Sequence, residues 1–479
     1  MTETENLPGQ APAAERSPAD TRLPRLGELS DFVEYMGRGW GTPERRPPVV
    51  RGAAKAAAEH RSRLAAELPG RSIVAASGRA PVRSNDTRHD FRPDSNFYWL
   101  TGCAVVEDAV VVLKDASAVV YIPPPAYPGD AKFFTDAAHG ELWVGAAPGL
   151  DDWSAALDVE VRPLTAFEED LPKHSDLLVA GRLDGDIVRR HGLEPSDELS
   201  RIISGLRMIK DDWEIAQLRE AVDRTVQGFA AVVREFPAAI EGGGERWLQG
   251  TFARYARAYG NGPGYETIVG SGKHAPTLHW VRCDGPVLPD DLVLLDMGVE
   301  TRSFYTADVT RTLPAAGRYS PVQRQVHDVV EAAHRAGLDA VRPGRKFTDF
   351  HHAAMEVIAR RLDDWGLLPV SVDQALSDEG QQHRRYVVCG IGHHLGLDVH
   401  DCAASTPEAY QGASLAPGMV LTVEPGLYFH AHDHTVPPEL RGIGVRIEDD
   451  LLVTHDGGEV LSAELPLTAA GLEQWMSQA

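Results

Sequence analysis

The chain has 479 residues, of which 43% are apolar and 24% are charged, and its net charge is −23 at pH 7. At about 100–200 residues per domain, the length predicts two to four domains, and the composition excludes a chain that is disordered throughout. The strong negative charge repels phosphates and anionic lipids, so we expect neither nucleic acid nor a membrane as a partner. No apolar run in the sequence approaches the roughly 18–20 residues of a membrane-spanning helix.

The cysteines and the N-terminus indicate a cytoplasmic protein. The four cysteines are widely spaced and form no Cys-x-x-Cys pair; they are Cys103, Cys283, Cys389 and Cys402. We therefore expect no disulfide framework and no structural zinc site, as in a reducing compartment. Residues 1–30 lack the cationic start and apolar middle of a signal peptide, and they have no periodic apolar face. They predict a flexible tail.

Residues 31–205 predict an α/β domain, because strand-like and helix-like segments alternate along them. A helical pattern over residues 53–68 stops at Pro69-Gly70, and the apolar run 72–76 that follows predicts a strand. The apolar runs 108–113 and 118–122 are joined by a short polar turn, which predicts a hairpin or neighbouring strands.

Residues 206–479 predict an α+β domain with a largely antiparallel sheet. Apolar residues recur at helical spacing over 211–235, 247–259, 321–341 and 349–365. Short apolar runs predict strands at 292–295, 419–423, 445–447 and 450–453.

Ionisable residues adjoin several apolar runs of the second domain, and five of them stand out: Asp296, Asp308, His393, Glu424 and Glu448. Each alone has an ordinary interpretation, such as a turn aspartate at a strand end or a histidine in the core, and the core is the better interpretation for His394. Aspartate and glutamate are rarely buried without a partner, however, so the set indicates interior ligands.

Four carboxylates and one imidazole cannot share an interior pocket unless cations compensate their charge. The set therefore predicts two divalent metal ions. An oxygen-rich ligand set with one histidine favours Mn²⁺ over Zn²⁺, with Co²⁺ as a further possibility. Two ions bridged by carboxylates would hold a hydroxide between them, ready for hydrolysis.

The order of these motifs resembles that of the creatinase/aminopeptidase P superfamily. The matching segments are Asp296, Asp-x-Thr-Arg at 308–311, Gly-x-Gly-His-x-x-Gly-Leu-x-x-His-Asp at 390–401, Glu-Pro-Gly at 424–426 and Gly-x-Arg-x-Glu-Asp at 444–449. In the first domain, residues 94–102 resemble the N-terminal domain signature of the aminopeptidase P family, and residues 207–210 resemble its interdomain junction. The resemblance extends from about residue 72 to the end of the chain and implies a pita-bread fold for the catalytic domain.

The resemblance also implies a role for each matching metal ligand. Asp296 would chelate one ion, while Asp308 and Glu448 would bridge both ions. His393 and Glu424 would complete the second ion, and Glu424 would also move a proton during catalysis.

Other matching positions are implied to face the substrate. His279 would contact it, and His400 would steady the scissile carbonyl. Arg446 would act at the catalytic centre, and Tyr265 and Tyr428 would line the substrate site. The chain departs from the family pattern at Cys389, where close relatives often carry a histidine.

The function implied by the resemblance is a metallo-exopeptidase that hydrolyses the N-terminal Xaa-Pro bond of peptides and assembles as a homodimer or homotetramer. Two alternatives remain open. A prolidase would use the same ions but accept only dipeptides. A pita-bread domain can also be a non-catalytic binding protein, although such a protein is expected to have lost ligands.

Overall fold

The computed structural model describes residues 24–115, 117–173, 176–181 and 191–478. Residues 1–23 of the predicted tail lie outside the described residues, and a short 3-10 turn over Leu26–Glu28 precedes the first helix. Among the described residues of the first half, the helices are Ser30–Met36, Ala53–Glu67, Ser95–Thr101, Lys132–Thr135, Glu141–Val144, Leu150–Leu157, Leu164–Asp170 and Asp197–Met208.

A mixed five-stranded sheet organises the first half. Its strands lie in the order Glu160–Pro163, Ser117–Ile122, Val110–Lys114, Ser72–Ala76 and Leu177–Gly181. The central strand Ser72–Ala76 is buried along its whole length, pairs antiparallel with Val110–Lys114 and pairs parallel with Leu177–Gly181. The hairpin predicted between residues 108 and 122 is confirmed by the antiparallel pairing of Val110–Lys114 with Ser117–Ile122.

Small antiparallel sheets form the second half. One contains Val309–Pro314, Leu292–Met297 and Ile268–Ser271, and another contains Val420–Val423, Asp449–Val453 and Gly458–Val460. Two-stranded pairs join Gly426–Phe429 to Ile443–Arg446 and Gly262–Pro263 to Val299–Glu300. The strands that hold or adjoin the predicted ligands are buried along their whole length, which explains their continuous apolar sequences.

Long helices cover these sheets, and local sequence defines where they begin. They are Asp212–Val233, Gly244–Tyr259, Pro321–Ala340, Phe347–Asp364 and Ala469–Met476, with the shorter helices Phe236–Ala238, Val372–Leu376 and Pro407–Tyr410. The helix Asp212–Val233 begins with a capping box in which the Asp211 side chain accepts from the Glu214 amide and Glu214 accepts from the Asp211 amide. The helices predicted in this half are therefore confirmed within a few residues.

An apolar core joins the two halves of the chain. It contains Leu64 and Trp99 from the first half together with Tyr305 and Leu395 from the second. The domain boundary predicted near residue 205 falls within the helix Asp197–Met208, so the division into 31–205 and 206–479 stays a prediction. Within the described residues, no helix combines the length and the apolar character that crossing a membrane requires.

Candidate metal centre

Neighbouring strands place three of the predicted ligands in one row. Asp296 on Leu292–Met297 is the register partner of Thr310 on Val309–Pro314, and Thr310 forms a bridge to Glu448. Asp308 precedes Thr310 by two residues and therefore lies on the same side of its strand. Asp296, Asp308 and Glu448 thus converge although more than a hundred residues of sequence separate the first from the last.

Backbone pairing also brings Glu424 and His393 to this point. Val423 pairs with Asp449, so Glu424 leaves its strand beside Glu448. The Thr422 amide donates to the His393 carbonyl at 2.9 Å, and the Glu424 amide donates to the Ile391 carbonyl at 3.0 Å. The segment around His393 therefore runs along the strand that ends at Glu424.

The side chains of the five predicted ligands form one continuous cluster. His393 Nε2 lies 3.3 Å from Asp308 Oδ2 and 3.6 Å from Glu424 Oε1. One ligand atom each from Asp308, His393 and Glu448 lies within 4.8 Å of the other two. Arg446 contacts Asp296 and links it to the rest of the cluster.

Burial shifts the carboxylates of the cluster toward their neutral forms. It raises the pKa of Glu424 to about 7, even though Arg446 opposes the shift. Burial and the nearby charge of Asp308 raise the pKa of Glu448 well above its usual range. Burial also raises the pKa of Asp296 despite its contact with Arg446. These carboxylates therefore lack the positive charge that would keep all of them ionised.

His393 supplies part of that charge. Burial by itself would lower its pKa, but the hydrogen bond to Asp308 and the charges of Glu424 and Asp308 raise it to about 9. In return, His393 lowers the pKa of Asp308 against the effect of burial. The imidazolium form of His393, which this pKa favours at pH 7, places one positive charge between the Asp308 and Glu424 carboxylates.

The donor set fits a divalent metal centre. Three buried carboxylates, the partly buried carboxylate of Glu424 and an imidazole meet here. Among the described residues, Arg446 is the only arginine or lysine whose side chain contacts one of these groups. Hard divalent ions prefer oxygen ligands and tolerate one imidazole, and they would supply the missing positive charge. The residues that would hold them are Asp296, Asp308, His393, Glu424 and Glu448.

The predicted substrate-facing histidines lie at the open side of the cluster. His279 and His400 are both exposed, and the His400 ring lies 4.1 Å from the His393 ring. Partial removal of its ring from water and the charges of His393 and His279 lower the pKa of His400, which favours its neutral imidazole. Their contacts with a substrate stay predictions.

The other predicted residues support the cluster from the side. Tyr265 donates to Asp296 Oδ1 at 2.6 Å, and buried Tyr428 accepts from Arg446 Nη1 at 3.0 Å. Both hydroxyls are therefore engaged with the cluster itself, and the substrate contacts predicted for these tyrosines stay untested. Cys389 is partly buried, and burial and the charge of Glu424 raise its pKa, so its thiol stays protonated.

Sequence reasoning missed several supporting residues. Thr310 donates to Glu448 Oε2 at 2.6 Å, and the Asp308 amide donates to Asp450 Oδ2 at 3.1 Å. Arg311 points to the other side of its strand and pairs with Asp449 at 2.7 Å. The alternation in Asp308-Val-Thr-Arg was a usable signal for Thr310, because residues two apart share a face.

Glu245 is a further residue that the sequence did not reveal. Its buried carboxylate accepts from the amides of Ser271 and Gly285 and from Trp280 Nε1, at 2.8, 2.7 and 2.8 Å. It also pairs with His274 at 2.8 Å. All of these partners lie in the segment that carries His279, so Glu245 fixes that segment to the helix Gly244–Tyr259.

Comparison with known proteins assigns both halves of the chain. Residues 216–455 match the model of metallopeptidase family M24, and residues 57–177 match the aminopeptidase P N-terminal domain. Xaa-Pro aminopeptidase 2 of Streptomyces coelicolor is 45% identical, with 94% of this chain and 96% of that protein covered.

Two solved structures share the architecture. Aminopeptidase PepP of Pseudomonas aeruginosa has a TM-score of 0.78 at 28% identity, and the match covers 91% of this chain and 99% of that chain. Aminopeptidase P from Escherichia coli, solved with the inhibitor Pro-Leu, has a TM-score of 0.77 at 28% identity, with 89% of this chain and 98% of that chain covered.

These matches confirm the predicted fold class, an α/β domain followed by a pita-bread catalytic domain. They also confirm that the chain is a metal-dependent peptidase. The carboxylate cluster lies within the matched catalytic segment. The chain therefore belongs to metallopeptidase family M24, and its N-terminal domain is of the aminopeptidase P type.

Proposed function

We propose that this chain removes the N-terminal residue from peptides that carry proline at the second position. The observation that carries the proposal is the cluster of Asp296, Asp308, His393, Glu424 and Glu448, with an excess of buried negative charge beside an open side. An Xaa-Pro bond is a tertiary amide without an N–H group, so its hydrolysis calls for strong activation of water and carbonyl. Two divalent ions bound by this cluster, Mn²⁺ in the first place, would supply an activated water and Lewis acidity toward the scissile carbonyl.

The chain's own residues would bind the peptide and move protons. Glu424 has a side-chain exposure of 19%, against 8% for Asp308, so it is the ligand best placed to exchange protons with a bound peptide. It would pass a proton to the proline nitrogen as that nitrogen leaves. His400, in its neutral form, would donate a hydrogen bond to the carbonyl oxygen as negative charge develops there. His279 would contact the substrate from the opposite segment.

The relatives support the specificity for proline. The S. coelicolor relative is an Xaa-Pro aminopeptidase, and the E. coli relative was solved with Pro-Leu. Pro-Leu is what remains when the first residue of an Xaa-Pro-Leu tripeptide is removed. A site that holds such a product extends beyond proline, which favours an aminopeptidase over a prolidase for this chain.

A peptide panel tests this proposal. Metal-loaded protein is assayed with Ala-Pro-Leu, with the dipeptide Ala-Pro and with Ala-Ala-Leu as a control that lacks proline. We expect release of alanine from Ala-Pro-Leu at a higher kcat/KM than from Ala-Pro, and negligible release from Ala-Ala-Leu. Cleavage of Ala-Pro alone would instead establish a prolidase, and equal cleavage of Ala-Ala-Leu and Ala-Pro-Leu would contradict the specificity for proline.

We also propose a homodimer or homotetramer in the cytoplasm. The first half exposes large apolar side chains, among them Tyr35 at 70%, Trp143 at 61% and Trp40 at 50%. Covering such groups is a usual contribution to subunit association. Light scattering on the intact chain tests the assembly, and a monomer at micromolar concentration would contradict it.

A further inference from the structure

Two motifs of the sequence have no part in the proposed chemistry, namely residues 94–102 of the first domain and residues 207–210 at the junction. Side chains of both motifs form hydrogen bonds or ion pairs with the same short segment of the catalytic domain, residues 396–401, which contains His400. We call residues 396–401 the His400 loop. The ion pairs of Arg207 and Lys210 with Asp401 are buried, whereas the Asp398 side chain, which Ser95 and Arg207 contact, is 43% exposed.

Arg207 and Lys210 hold the end of the His400 loop. The Arg207 guanidinium contacts the Asp401 carboxylate and donates to Asp398 Oδ2 at 2.8 Å and to Asn96 Oδ1 at 2.9 Å. Lys210 Nζ donates to Asp401 Oδ2 at 3.1 Å. The side chains of Arg207, Lys210 and Asp401 are 6%, 1% and 2% exposed, so the two ion pairs with Asp401 are shielded from water and from salt screening.

The first domain holds the rest of the loop. Ser95 Oγ donates to Asp398 Oδ1 at 2.6 Å. Arg92 contacts the Leu397 carbonyl and donates to Glu300 Oε2 at 2.7 Å. The Leu397 side chain is buried in the apolar core that also contains Trp99 of the first domain. Polar and apolar contacts from the first domain therefore fix the same backbone.

The loop itself leaves little freedom between these anchors. The Asp401 amide donates to the His394 carbonyl at 2.9 Å, which closes the loop back onto the segment that holds His393. A Cβ atom at Gly396 would lie 2.2 Å from Asp401 Oδ2, so only glycine permits this close approach. His400 lies next to Asp401 in the chain, and its ring stays 4.1 Å from the His393 ring.

We infer that Asp401, with Arg207 and Lys210, is a positioning residue that sets the orientation of His400 in the cleft. The first domain thereby contributes to the reaction through Ser95 and Asn96, which touch no part of the metal centre. The role of His400 in this inference rests on the proposed function. The inference itself concerns the coupling between Asp401 and His400.

A double-mutant cycle of Asp401→Asn with His400→Ala tests the coupling. Asparagine keeps the shape of the side chain but removes the charge that both cations bind. We expect kcat to fall by up to about 10²-fold, which is the typical cost of a displaced catalytic group, while KM and metal content stay near wild type. In the His400→Ala background, Asp401→Asn should lower kcat by less than about 3-fold, because the group that it positions is already gone.

Asp170 offers a matched control in the first domain. It is 5% exposed and pairs with both an arginine and a lysine, Arg162 and Lys173. Asp170→Asn removes the charge from the same kind of arginine–lysine pair, with Arg162 and Lys173 36% and 70% exposed, and should leave kcat unchanged. Equal losses of kcat in the two variants would mean that Asp401 acts only through stability, and would overturn the inference.

Additive effects of Asp401→Asn and His400→Ala on kcat would overturn it as well. If Asp401→Asn does not fold, Ser95→Ala and Asn96→Ala carry the same test with smaller changes, and each should lower kcat severalfold only when His400 is present. All rates are measured on whichever peptide the wild type cleaves best. If the proposed specificity for proline is wrong, the double-mutant cycle is measured on a different peptide. The coupling between Asp401 and His400 is expected in either case.

Discussion

Two sets of buried carboxylates in this chain have opposite electrostatics. Asp401 at the domain junction lies between Arg207 and Lys210, and although burial opposes it, these cations lower its pKa to about 2. At the metal centre, burial raises the pKa of Glu424 to about 7 and that of Glu448 well above its usual range. Both sets are removed from water, so the resident cations make the difference.

The metal centre, unlike the junction, requires cations that the protein itself does not supply. The junction is neutralised by its own side chains, and it needs no ligand to be stable. The metal centre has Arg446 and His393 for four carboxylates, which leaves negative charge uncompensated in a buried place. Divalent ions are the simplest source of the missing charge. The excess of negative charge destabilises the centre in the absence of metal, and for the same reason it favours the binding of divalent ions there.

The largest expected effect comes from removing Asp308 or Glu448, which we propose as ligands of both ions. Asp308→Ala or Glu448→Ala should reduce peptidase activity to background and lower the metal content by at least one ion per chain, because the remaining ligands cannot balance two ions. Metal analysis and a peptide assay on the same preparation check this. Asp170→Ala serves as the control, and it should keep both metals. A Glu448→Ala variant with full metal content and a near-normal rate would refute the bridging role.

The next effect concerns a residue beside the centre. His400→Ala should lower kcat by about 10²–10³-fold, the usual cost of one lost oxyanion donor, while metal content stays near wild type. His432, an exposed histidine of a surface loop, provides a control, because His432→Ala should change neither quantity. Loss of metal in His400→Ala would place this histidine among the ligands instead.

How far the sequence predicts this molecule can be judged on the same two regions. The residues that meet in the cluster were predictable from motifs of fixed order, in which Asp296 lies within an apolar strand and Asp308 and Glu424 adjoin apolar strands, while their roles as ligands stay predictions. The strand predicted at 72–76 was found as Ser72–Ala76, since its ends coincide with turn residues. The strand predicted at 445–447 lies at Ile443–Arg446, because pairing with Gly426–Phe429 decides its ends.

The supports of the centre could not be predicted for a physical reason. Lys210 and Asp401 are 191 residues apart, and Arg207 and Asn96 are 111 apart, so no local pattern indicates that they meet. Buried pairs of this kind depend on how the two halves pack. The sequence marked residues 94–102 and 207–210 only through their resemblance to family motifs, without indicating their target.

The smallest expected effect concerns His60, a buried histidine whose positive charge is lost as the pH rises. At the domain contact, His60 Nε2 lies 3.0 Å from Asp211 Oδ2 and 3.5 Å from Glu214 Oε2, and its ring stacks on Trp99. Tyr305 donates to Glu214 from the other side. Burial opposes protonation, but the two carboxylates raise the pKa of His60 to about 9.

This raised pKa fixes the sign of the pH dependence. The stabilisation by His60 is complete below its unfolded pKa of about 6.5 and is lost as the pH rises through about 9. We expect the Tm of metal-loaded wild type to exceed that of His60→Gln at pH 6, and the gap to shrink toward pH 9. Thermal unfolding of both proteins across this range checks it, and a gap that does not change with pH would contradict it.

The central claim is that the buried carboxylates around His393 are completed by two divalent ions. It is tested most directly by metal analysis of the wild-type chain purified without chelators, next to Asp308→Ala and Asp170→Ala purified in the same way. The account predicts two divalent ions per wild-type chain, with Mn²⁺ giving the highest activity on reconstitution, at least one ion fewer in Asp308→Ala, and no loss in Asp170→Ala. Full peptidase activity in a wild-type preparation that contains no divalent metal would contradict it.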